Sequence, residues 1–179
     1  MRKHILVVCL LIFSLRISAQ QTDKKVSSVA FENAANRLLT QEAQWQKVVN
    51  AVDIEQLHVD YPVGKRFQET KSLVNQELEM SASWAKKAVR EHTYFSDVNF
   101  LSSVQDLQAQ MQLFVALLLQ FQLNSQADES RVEKWTEAMS AIANGPINEI
   151  WKTTYSYTTH RALLIDGQPC ISKLQSGAY

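Results

Sequence analysis

Between residues 98 and 124 apolar side chains recur at Phe100, Val104, Leu107, Met111, Phe114, Leu118 and Phe121. The steps alternate between four and three residues, a spacing that lays one stripe along a helix for ~32 Å at the usual rise per residue. The pattern predicts a core helix over about 97–124. From Leu113 to Leu119 the flanking positions are apolar too, so this stretch is expected to be covered on most sides by partner helices.

The same period appears earlier at Phe31, Ala35, Leu38, Glu42, Trp45, Val49 and Val52, which predicts a first helix from Val26 to Val52 or as far as His58. Only Glu42 interrupts its stripe, and a lone carboxylate there is expected at a bundle end or with a partner. A second helix is expected over Lys65–His92, with Phe67, Val74, Leu78, Trp84, Ala85 and Ala88 inside and its lysines and glutamates in water. Asp60–Tyr61–Pro62–Val63–Gly64 reads as the turn before it. Ser96 or Asp97 is the expected cap of the central helix.

After that helix, Ser125–Gln126–Ala127–Asp128 has the spacing of a capping box, opening a fourth helix with Val132, Trp135, Met139 and Ile142 inside. Asn144–Gly145–Pro146 predicts a left-handed stop followed by a fresh start. The last segment, Ile147–Ile165, contains the strand-forming run Thr153–Thr159. A helix is nonetheless expected, because a solitary strand would have no partner in this chain. Together these elements predict an all-α antiparallel bundle of four to five helices with the third central. It is expected as one domain over 26–165, with a mobile tail over 166–179.

The first residues follow a different pattern. Met1–Arg2–Lys3–His4 is basic, Ile5–Leu15 is apolar but for Ser14, and Ile17–Ser18–Ala19 ends in a small residue. This resembles a secretory signal, with cleavage expected after Ala19 and a short polar leader over 20–25. The apolar run is too short to span a bilayer, so no transmembrane span is expected in the mature chain. Cleavage removes Arg2, Lys3 and Arg16 and no acid, so 18 basic residues become 15 against 18 acidic ones. A mildly acidic chain lacks the basic footprint of a nucleic-acid binder.

Of the two cysteines, only Cys170 lies beyond the leader, which excludes an intramolecular disulfide in the mature chain. Its position, without a basic neighbour before Lys173, suggests an inert or adventitiously dimerising thiol. There is no Asn-x-Ser/Thr sequon, a pattern that points towards a bacterial envelope protein, either periplasmic or secreted.

Candidate chemistry is sparse. Glu55–Gln56–Leu57–His58 is the one Glu-x-x-His pair, whereas a bundle di-metal site needs two such pairs and further inward acids. His92 and His160 have no orienting partner or nucleophile that spacing alone can name. The four glycines stand singly, unlike a phosphate-cradling loop. No cofactor or metal site and no catalytic residue is assigned.

Trp45, Trp84, Trp135 and Trp151 are distributed over the outer segments and absent from the central helix. Such rings can fill grooves beside the core, or serve as contacts for a partner or a peripheral membrane surface. The expected function is therefore non-enzymatic: an exported helical protein acting through a protein partner or self-association. The order of secretory signal, first long helix and bundle resembles the layout of periplasmic minor-pilus components of conjugation and type IV secretion systems. That resemblance is one of layout and assigns no residue. A small-ligand or metal carrier with a pocket between helices is the alternative from another class.

Overall fold

The computed structural model describes residues 27–53, 61–124, 129–162, 164–165 and 168–169. Its helices are α1 (Ser28–Asn50), α2 (Tyr61–Glu91), α3 (Tyr94–Asn124), α4 (Glu129–Ile142) and α5 (Asn148–Ala162). A π-helical turn, Ala143–Ile147, joins α4 to α5. Those two form one continuous column, so four helical columns run up and down in antiparallel order. The expected all-α bundle is the fold.

α3 packs on α2, α4 and α5, and Phe100 brings it edge-on to Phe31 of α1 with ring centroids 5.8 Å apart. Phe100, Val104, Leu107, Met111, Phe114 and Leu118 are fully buried, and Phe121 packs partly buried against them. Phe67 of α2 meets Phe114 and Phe121 at 6.2 and 6.0 Å, both edge to face, the geometry that ring quadrupoles favour. At the other end of the bundle Tyr157 lies 4.4 Å from Phe31. Rings from all four columns thus share the core.

The stretch from Leu113 to Leu119 is less enclosed than its composition suggests. Val115 and Leu117 are buried, but Leu113 and Leu119 remain 38% and 46% exposed. Three neighbouring columns cover only part of a helix circumference, and these two leucines fall on the remaining arc.

Several boundaries differ from those read in the sequence. Tyr61–Pro62–Val63–Gly64 forms the first turn of α2 rather than the loop before it. Proline suits that place, since a first-turn N–H has no helical acceptor to lose. α3 begins at Tyr94 with Thr93 as its cap, whose Oγ1 accepts from the Ser96 N–H at 3.2 Å. Ser96 and Asp97, the expected caps, are already helical and buried.

Asn144–Gly145–Pro146 does not stop the chain either. Proline lacks the N–H for an ordinary helical turn and its ring crowds the carbonyl four residues back. Widening the turn to a π-bulge relieves both constraints while buried Ala143 and Ile147 hold the column to the core. α3 also grips the bulge, as Gln112 Nε2 donates to Asn144 Oδ1 at 2.8 Å and Gln108 Nε2 to Asn148 Oδ1 at 3.2 Å.

Thr153–Thr159 is helical despite its strand propensity. Thr154 and Thr158 face the core, and the Thr154 hydroxyl donates to the Ile150 carbonyl at 2.8 Å, which makes its burial tolerable. The helix ends at Ala162, short of the expected Leu164 and Ile165. Leu164–Ile165 instead pairs antiparallel with Gln168–Pro169 in a two-residue ladder. This places Gln168 and Pro169, expected in a mobile tail, in backbone pairing. The leader, Glu55 and His58, the Ser125–Asp128 box and Cys170 lie outside the described residues.

Candidate functional site

The two-residue connection His92–Thr93 between α2 and α3 builds the most distinctive surface among the described residues. His92 takes a left-handed backbone (φ 51°), and its N–H closes α2 on the Ala88 carbonyl at 3.1 Å. Histidine is among the few non-glycine residues that enter this conformation with some frequency. The Asp97 N–H then reaches the Thr93 carbonyl at 3.1 Å, and the Ser96 hydroxyl donates to the same carbonyl at 2.8 Å.

The inner side of this turn is fastened to the other columns. Asp97, only 1% exposed, pairs with Arg161 near the end of α5, and Arg161 also donates to the His92 carbonyl at 2.9 Å. The His92 imidazole lies 3.8 Å from Glu32 of α1. Asp97 opens a helix, where a negative charge is favourable. Burial nevertheless raises its pKa, outweighing the opposing pull of Arg161 and His92.

With the polar side turned inward, the rings face out. Phe95 is 66% exposed, and Tyr94 and Val98 are exposed beside it. Trp84 of α2 stands edge-on to Phe95 at 6.2 Å, while Lys87 Nζ lies 4.8 Å above the Trp84 ring. Met80, one turn before Trp84, continues the exposed apolar side.

Among the described residues, three acids of this end have a side-chain neighbour. Asp97 holds Arg161, Glu32 faces His92, and Glu91 meets Arg90 at 3.1 Å. Lys87 is the cation that lies over the Trp84 ring, while Lys86, two positions from Trp84, falls on the opposite side of α2. The tip therefore offers exposed apolar rings with one ammonium group, that of Lys87, held over Trp84.

The four sequence-selected tryptophans do not form one site. Trp45 is 4% exposed and belongs to the core, which corrects its reading as a candidate surface contact; its place in the Phe31–Leu38–Val49 stripe points it inward. Trp84, Trp135 and Trp151 are partly buried against the core. Among the described residues Trp84 alone of the four meets an exposed ring of another helix, since Trp151 stacks on Tyr155 of its own helix at 5.6 Å.

Phe95 itself was not singled out by sequence reasoning, although a signal existed. Extending the central stripe back from Phe100 reaches Ser96 or Asp97 and then Thr93, so Tyr94, Phe95 and Val98 all fall off the buried line.

A shallow groove of about 420 Å³ between α1 and α5 is lined by Ala30, Asn33, Ala34, Arg37, Glu149, Ile150 and Thr153, and an Arg37–Glu149 ion pair of 2.5 Å bridges it. Glu42 and Glu77 both have raised pKa values, chiefly through burial and then through Glu79 and Asp106 across the helix contacts. Among the described residues no group of three or more His, Cys, Asp or Glu could hold a metal ion, and no helix is long and apolar enough to cross a membrane. Comparison with protein-family models, with curated proteins and with solved structures finds no match to this chain.

Proposed function

We propose that this is an exported, non-enzymatic helical protein that acts by binding another macromolecule or assembly through the α2–α3 tip. The observation that carries the reading is Phe95, an aromatic ring held 66% exposed beside Trp84 on a turn fastened from behind. Exposing such a ring forgoes the burial that most aromatic side chains obtain, and aromatic residues are enriched where proteins make contacts. The basic-then-apolar leader supports the export part of the proposal.

The test is site-specific photo-crosslinking in the native envelope, with the reactive group placed at position 95 or at exposed Glu133 of α4. Adducts at position 95 that are missing at position 133 are expected. Identical labelling at both positions, or none at 95, would refute the tip as the working surface.

A second reading is favoured by one feature, the groove between α1 and α5. Its ion pair and small apolar floor could admit a small zwitterionic ligand. Under that reading Arg37→Ala and Glu149→Ala each abolish binding of an amino acid measured by calorimetry, while Phe95→Ser leaves it intact.

A further inference from the structure

The outer face of the α2–α3 hairpin carries its own complement, and we infer that it seats a second copy of this chain. The inference rests on the reading of the tip as a binding surface and names what covers it.

α3 is apolar almost all round. Among its 31 residues only Asp97 and Asp106 are charged, and a helix of that kind is ordinarily covered on most sides. Its neighbours leave one arc open, where Phe95 and Leu113 stand exposed ~five turns apart. α2 adds Trp84, Met80 and Leu73, which recur at helical spacing and line the adjacent side of the hairpin. Most of the large apolar side chains left exposed among the described residues belong to these two helices.

Charge selects the occupant. The register of the hairpin is set by Trp84 beside Phe95, by Phe67 against Phe114, and by Glu77, whose pKa is raised by burial and then by nearby Asp106. Measured along α2 from Met80, the Lys87 ammonium over Trp84 lies ~6 Å to one side, and Glu77 and Asp106 lie ~4–8 Å to the other. A two-fold axis in the plane of the face, crossing α2 at Met80, lays α2 antiparallel on α2 and α3 on α3. Lys87 of each copy then meets the acids of the other. The same rotation carries each Phe95 ring towards the level of Leu73 and exposed Ala109 on the other copy, where the small alanine leaves room for it. Of the other α2 acids nearby, Glu79 lies towards Glu42 of α1, and Glu91 pairs with Arg90 at 3.1 Å.

Extent agrees. From Met80 to the end of α2 and equally far back the overlap is ~33 Å long, and two helices are ~20 Å wide. The footprint is roughly 650 Å² on each copy, about 1,300 Å² in all, within the ~1,200–2,000 Å² of a stable interface.

The test is sedimentation velocity of the purified, exported protein over a concentration series. A dimer is expected. Lys87→Glu should weaken it about tenfold, because two-fold symmetry counts the changed pair twice, and adding Asp106→Lys should restore it. Phe95→Ser should weaken it tenfold or more, while Leu119→Ser, an exposed leucine off this face, leaves it unchanged.

The replaced side chains are not in the core, so the helical spectrum should persist, which circular dichroism checks. A chain that stays monomeric at every concentration, a dimer indifferent to Phe95 and Lys87, or one that the double change fails to restore overturns the inference. Photo-crosslinking from position 95 separates this failure from that of the tip itself. Adducts holding two copies of this chain support the inference. A monomer crosslinked there to a different protein or to lipid overturns the second copy and leaves the tip as a binding surface; a monomer without adducts at position 95 defeats both.

Discussion

Phe114→Ala and Phe95→Ala remove the same atoms from one helix, and their difference measures what the tertiary structure does with a ring. Phe114 is fully buried opposite Phe67, whereas Phe95 keeps two thirds of its surface in water. A buried aromatic side chain withdraws at least ~150 Å² from solvent, which at ~25 cal/mol per Å² is about 4 kcal/mol. Incomplete collapse around the vacancy beside Phe67 keeps the value within the ~3–5 kcal/mol range of such truncations. For Phe95 only a third of that area is hidden, about 1.3 kcal/mol, and the better helix propensity of alanine returns ~0.5 kcal/mol. The expected costs are thus about 4 and under 1 kcal/mol. For a domain of this size they correspond to a Tm lowered by ~12 °C and by 3 °C or less. Urea titrations followed by circular dichroism at neutral pH, with thermal scans beside them, measure both variants. Equal losses, or a Phe114→Ala cost below ~1.5 kcal/mol, would refute the assignment of Phe114 to the core.

Three further perturbations probe the polar structure. Arg161→Leu leaves buried Asp97 without its counter-ion and should cost about 2–3 kcal/mol at pH 7, below the ~3–5 of a fully buried pair because Arg161 is a third exposed; the deficit should shrink as pH falls and Asp97 protonates, and a pH-independent deficit would contradict this. Glu77 has a raised pKa, so the folded state holds its proton more tightly than the unfolded chain. Stability linked to this group is fully present below about pH 4 and lost as pH rises through the raised value. Glu77→Gln should accordingly stabilise the protein at pH 7 and give no gain at pH 4, as read from urea midpoints. Asn144→Ala removes the acceptor of Gln112 at the π-bulge and should cost ~1 kcal/mol, with hydrogen exchange faster at Ala143–Ile147 and unchanged in α2.

The α2–α3 tip explains why functional surfaces were harder to read than the core. Trp84 was recognisable as a large amphipathic ring, yet its neighbour Phe95 lies eleven positions away on another helix and meets it only because a two-residue turn folds one onto the other. The Asp97–Arg161 pair joins residues 64 positions apart, and no periodicity links them. Trp45 shows the opposite case, a ring whose place on a regular stripe already pointed inward.

What the amino-acid order determined by itself was local and repetitive: the four-three stripe from Phe100 to Phe121, the helical columns and their up-and-down order. Those features follow from the 3.6-residue period and from the need to bury one face, which neighbouring residues encode. The tertiary structure decided where local preference was divided or silent. It kept Thr153–Thr159 helical by burying Thr154 and Thr158, and it turned Asn144–Gly145–Pro146 from a stop into a π-bulge because Ala143 and Ile147 had to remain in the core. It also left Leu113, Leu119 and Phe95 in water, since exposure depends on which columns arrive alongside and how much of a helix they cover.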